Sequence, residues 1–90
     1  MNFIELEKKY QVKALQHANA YHETPSKHII NIMTSVMMSR DNVLPGGSFV
    51  QSVVKNDLLN AVCRADKECV KNLKLITLAC ANAFIDESNE

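Results

Sequence analysis

The chain is poor in residues that break helices. It has two glycines and two prolines among 90 residues, so few turns and long elements are expected. Both glycines, Gly46 and Gly47, follow Pro45, and the other proline, Pro25, lies in ETPS. The sequence also lacks a run of about 18 apolar residues, which excludes a membrane-spanning helix. The opening MNFIELEKKYQVK mixes charged and apolar residues and has no uninterrupted apolar core of a secretory signal. No charge sign is in excess: ten basic and ten acidic residues balance. Residues 1–45 carry five basic and four acidic groups, and residues 46–90 carry five and six. A polyanion-binding tail is therefore not expected. The three cysteines, Cys63, Cys69 and Cys80, contain no C-x-x-C pair. They read as reduced thiols that pack as small hydrophobes in an intracellular protein.

What is present is globular. The chain is 47% hydrophobic and 22% charged, outside the disordered range. A single helical domain over 1–90 is predicted, with 86–90 as a polar, frayed tail. A domain of this size buries roughly 60–65% of its unfolded surface, so a partner or a second copy of the chain would add to a modest core.

The first predicted helix covers residues 2–22. Phe3, Leu6, Tyr10, Ala14, Ala18 and Tyr21 recur at spacings of three or four. ETPS then breaks the chain, with Thr24 as N-cap and Pro25 at the first helical position. A second helix runs to about Ser39. Ile29, Ile30, Ile32, Met33, Val36 and Met37 cover more than half its circumference, the pattern of a central helix. The stretch VLPGGS is extended and then turns. Ser48 and Gln51 fit a capping box for a short helix bearing Phe49, Val50, Val53 and Val54. Asp57 caps a continuation, and Asp66 caps a final helix from residue 67 to about 85. SFVQSVV is valine-rich, but no second alternating run exists to pair with it as a strand. The prediction is all-α: a compact bundle of four to five helices.

The chemistry-bearing patterns are sparse. PGGS before a helix invites an anion-site reading, yet neither a Lys-Ser/Thr nor a G-x-G-x-x-G accompanies it. A corner with a capped restart is the favoured reading. His22 and His28 flank a helix break and, with Cys63 or Cys69, would form a metal or catalytic centre. The spacing of His17, His22 and His28 is not that of a helical zinc pair, so surface or partly buried histidines are preferred and no cofactor is assigned. Cys63 precedes Arg64, a weak sign of thiol activation. No nucleophile–base pair is evident, and no enzyme is expected. Lys67, Lys71 and Lys74 form one basic stripe and Lys8, Lys9 and Lys13 another. Solvated faces are the default for both, with nucleic-acid binding as the alternative function.

PGGSFVQSVVKNDLLNAVCRADKECVKNL resembles a pattern in small bacteriophage-encoded proteins of unassigned function. The matching residues are Pro45, Gly46, Phe49, Val53, Asn56, Asp57, Leu58, Ala61, Arg64, Ala65 and Asp66, within residues 28–80. The resemblance implies an accessory protein in the cytoplasm of an infected bacterial host, one that binds and modulates a host or phage protein without catalysis. It implies capping by Asp57 and Asp66, with Arg64 paired to one of them. The expected partner surface is the face of the first helix with Tyr10, Lys13 and Tyr21, together with Met37 and Met38 at the end of the second. A homodimer is also an expectation, since the chain has little core to spare. Nucleic acid is the less favoured partner, and no membrane is expected.

Overall fold

A computed structural model describes residues 2–88, with side chains described through residue 81. The described residues form six helices and no strand: α1 (Phe3–Ala20), α2 (Lys27–Arg40), α3 (Ser48–Val54), α4 (Leu58–Arg64), α5 (Lys67–Lys71) and α6 (Leu73–Ser88). The all-helical class agrees with the sequence, but there is one helix more than four or five. The expected last helix divides at Asn72. The Asn72 side chain donates to the Glu68 carbonyl at 2.9 Å, and the Asn72 carbonyl accepts from the Ile76 N–H at 3.0 Å. A side chain that bonds the preceding turn competes with helix continuation, so one residue closes α5 and opens α6. Helix α6 extends through Ser88, whereas the sequence predicts fraying from residue 86. Residues 89 and 90 of that tail lie outside the described residues.

Helix α2 is the centre. It packs against α1, α3 and α6, while α4 lies on α3 and α5 on α6. Ile29, Met33, Val36 and Met37 of α2 and Ile76 of α6 are the largest fully buried side chains. From α1 come Tyr10, Ala14, His17 and Ala18, and from α3 Phe49, Val50 and Val53.

Most helix starts are capped by side chains. Asn2, Ser26, Asp57 and Asp66 accept from the backbone N–H three residues on, which satisfies one orphan donor at each start. Two predicted starts are shifted. Ser26, not Thr24, caps α2, so Pro25 stands before the helix. Gly47, not Ser48, is the N-cap of α3, and it supplies no side-chain bond. The Gln51 amide instead donates to the Gly46 carbonyl at 3.1 Å, bracing the corner from within the helix.

Three helix ends share one device that avoids glycine. His22, Asn42 and Asn56 adopt φ of 58°, 62° and 60°. Each follows a C-cap residue and donates back to a helical carbonyl: His22 to Asn19, Asn42 to Ser39 and Asn56 to Val53. The next residue donates one turn deeper, from Glu23 to Ala18, Val43 to Met38 and Asp57 to Ser52. This pair of bonds closes a helix through one left-handed residue. Asn and His tolerate that conformation better than most side chains.

The two glycines have unequal roles. Gly46 has φ +71°, and a Cβ there would come within 2.7 Å of Val50 Cγ1, while a Cβ on Gly47 would meet nothing within 4 Å. Gly46→Ala is expected to destabilise the fold by about 1–3 kcal/mol and Gly47→Ala by less than about 0.5 kcal/mol, measured as urea midpoints at unchanged m-value.

Candidate functional site

The residues expected to meet a partner are mostly committed inside the chain. Met37 and Met38 are both buried in the core. Adjacent helical residues point about 100° apart, and both are covered because α2 has neighbours on several sides. These two side chains therefore offer no exposed surface to a partner, contrary to the expectation from sequence. Tyr10 is also buried, and its hydroxyl donates to Asp41 Oδ2 at 2.8 Å. Lys13 is half-buried, with its ammonium 5.4 Å from the Tyr10 ring centroid, a cation–π distance. Tyr21 is exposed, its ring 5.0 Å from that of His17. His17 itself is buried rather than at the surface, and its Nε2 lies 3.3 Å from the Leu75 carbonyl. A carbonyl only accepts, so in that contact Nε2 is the donor.

Tyr10 belongs to a polar clamp. Arg40 donates through Nε to Asp41 Oδ1 at 2.9 Å and through Nη2 to Oδ2 at 3.2 Å. Its Nη1 donates to the Cys80 carbonyl of α6 at 2.9 Å. One ion pair thus joins α1, α2 and α6. The Arg40 hydrogen bonds hold the Asp41 carboxyl below its ordinary range, with Tyr10 adding to the effect against partial burial. Burial opposes the Arg40 charge, but Asp41 outweighs it and raises the Arg40 pKa. Burial pushes the Cys80 thiol up, partly offset by Arg40. The cluster is structural.

The apolar surface that the chain leaves open lies elsewhere. In α4 only Ala61 is buried. Leu58 is 67% exposed, Leu59 76% and Val62 43%. Spacings of three and four put them on one helix face, with exposed Cys63 one turn after Leu59. Asp57 starts this helix by accepting from the Asn60 N–H at 3.2 Å and from its side-chain amide at 2.7 Å. Those bonds lower the Asp57 pKa, the side-chain one foremost, and the Arg64 charge adds to the shift. A second open set, Ile4, Val12 and Leu15, runs along the outer side of α1.

A second polar junction joins α2 to α5. Ser26 donates to Glu68, and His28 Nε2 lies 2.9 Å from Asp66 Oδ2. Asp66 Oδ1 accepts from the Cys69 N–H at 2.7 Å. One ligand atom each from His28, Asp66 and Cys69 lies within 4.8 Å of the others. The sequence names His22 and His28 as potential ligands together with Cys63 or Cys69. The structure brings His28 and Cys69 together and adds Asp66, which reads from sequence as a cap alone. The Cys69 N–H, followed by His28, lowers the Asp66 pKa. Burial, reinforced by Asp66, pushes the Cys69 thiol up to about 11, the opposite direction from the lowered pKa of an activated thiol.

Lys67, Lys71 and Lys74 are all exposed, but the Asn72 break divides them between α5 and α6. Lys71 and Lys74 border a shallow cleft of about 300 Å³ that Tyr21 and Glu23 also line. The Gly46–Ser48 turn is a corner: Ser39 donates to the Pro45 carbonyl at 2.9 Å, and Gln51 bonds Gly46. Among the described residues, no helix is long and apolar enough to cross a membrane.

The clamp generates two tests. Tyr10→Phe removes one hydrogen bond to a charged acceptor and should cost about 1–2 kcal/mol in chemical unfolding. The folded-state pKa of Asp41 is depressed, so its contribution is full above the unfolded value of about 3.9 and is lost as pH falls through the folded one. Thermal melts between about pH 5 and pH 2 should therefore fall less steeply for Asp41→Asn than for the native chain. A residual slope should remain, because Asp57 and Asp66 shift in the same direction.

No protein-family model matches this chain, and no curated protein or solved structure matches it either.

Proposed function

We propose that this protein is a non-enzymatic binding module that docks a partner protein through the outer face of α4. The observation that carries the reading is the exposure of Leu58, Leu59 and Val62 on a helix that buries one residue. Leu58 and Val62 are one turn apart, and Leu59 lies three residues before Val62, so the helix presents a contiguous apolar face of the kind that fits the apolar groove of a partner. Fully covering such side chains contributes about 1.5–3 kcal/mol each. Association costs roughly 4–15 kcal/mol. The three anchors alone therefore support weak binding, and a stable complex extends onto neighbouring surface.

The resemblance to small phage proteins is the support for reading the partner as a host or phage protein in an infected bacterium, whose activity the complex would modulate. That assignment rests on the sequence pattern over residues 28–80. Nucleic-acid binding through Lys67, Lys71 and Lys74 is the competing reading. Acidic Glu23, Asp66 and Glu68 lie among those lysines, which weakens a phosphate-tracking stripe.

The test is affinity capture from an infected-cell lysate with the tagged native chain and with Leu58→Ser/Leu59→Ser, both after nuclease treatment. The expected result is a nuclease-resistant partner whose recovery falls at least about tenfold in the double variant, at unchanged circular dichroism. Equal recovery by both proteins, or a partner lost on nuclease treatment, would overturn the α4 reading. Sedimentation over a range of concentrations separates out self-association: a dimer abolished by the same substitutions would make the partner a second copy.

A further inference from the structure

We infer that His28, Asp66 and Cys69 form a binding site for a single divalent transition-metal ion of the zinc class. The donor set is one imidazole nitrogen, one carboxylate oxygen and one thiolate sulfur, each an ordinary zinc ligand. Their ligand atoms already lie within 4.8 Å of one another. Zinc bonds of about 2.0–2.3 Å place tetrahedral ligands about 3.3–3.8 Å apart. Metal entry therefore needs sub-ångström to ångström adjustments. The 2.9 Å contact between His28 and Asp66 opens, and the sulfur closes in.

The surroundings suit an ion that retains a water ligand. Cys69 is the buried member, while the His28 and Asp66 side chains are 47% and 56% exposed. The carboxylate and the thiolate balance the dication, and the thiol proton leaves to solvent. Asp66 Oδ1 is held by the Cys69 N–H, so Oδ2 is the oxygen turned to the histidine and to the metal. The ligands come from the first turn of α2 and the start of α5, 38 or more residues apart in sequence. A bound ion would clip those two helices together, alongside the Ser26–Glu68 bond. The site is separate from the apolar α4 face and does not depend on a partner docking there.

The test uses the full chain titrated with Co²⁺ and then with Zn²⁺ in competition with a chromogenic chelator. The expected result is one Co²⁺ per chain with a thiolate-to-cobalt charge-transfer band, displaced by one equivalent of Zn²⁺. The band should vanish in Cys69→Ser and persist in Cys63→Ser and Cys80→Ser. His28→Ala, at an exposed position and with unchanged circular dichroism as the control, should weaken Zn²⁺ binding by at least about tenfold. Absence of the band in the native chain, its survival in Cys69→Ser, or equal Zn²⁺ affinity in His28→Ala would overturn the site.

Discussion

Helix α2 has almost no side that can be left in water. Ile29, Met33, Val36 and Met37 are fully buried, and Ile30, Thr34 and Met38 nearly so. A helix apolar over most of its circumference must be surrounded, and a chain of this length does that by wrapping three other helices around it. Helices α1, α3 and α6 take those places. The remaining short helices, α4 and α5, are left to pack on α3 and α6, which is why apolar groups on α4 stay exposed. The open face of α4 is thus a consequence of how the core was filled.

Polar contacts at two places hold the wrapping in register. At the C-terminal end of α2, Arg40 links Asp41, Tyr10 and the α6 backbone. At its N-terminal end, Ser26 and His28 reach Glu68 and Asp66 across the start of α5. Both clusters connect segments that are distant in sequence, and both use groups that also terminate helices. Asp41 is the C-cap of α2, and Asp66 is the N-cap of α5. Economy of this kind suits a small domain, in which few residues can be reserved for one task.

The shortage of glycine has a structural counterpart. Three helices end through left-handed His22, Asn42 and Asn56, residues whose side chains tolerate that backbone at some cost. Gly46 is kept for the one corner where a side chain would strike Val50 as well as strain the backbone. Gly47 has space around it and stands at the N-cap of α3. Asn72 ends a helix differently, by bonding the turn behind it.

The sequence by itself determined the helical class, the central place of α2, the breaks near residues 23–26 and 41–47, and the caps at Asp57 and Asp66. These follow from apolar periodicity and from bonds that span three or four residues, both legible locally. Capping assignments failed by two residues at Thr24, where Ser26 takes the cap instead, and by one at Ser48, where the helix starts from Gly47 without a side-chain cap. Only the tertiary structure decided that Met37, Met38 and Tyr10 are interior, that His17 is buried against Leu75, and that α4 faces outward. It also decided that His28 meets Asp66 and Cys69, while His22 closes α1 and Cys63 lies on the outer face of α4. The reason is range. A helical pattern shows which side chains share a face, but the burial of that face, and the company a polar side chain keeps, depend on elements 30 to 60 residues away, as Tyr10–Asp41, His28–Asp66 and His17–Leu75 do.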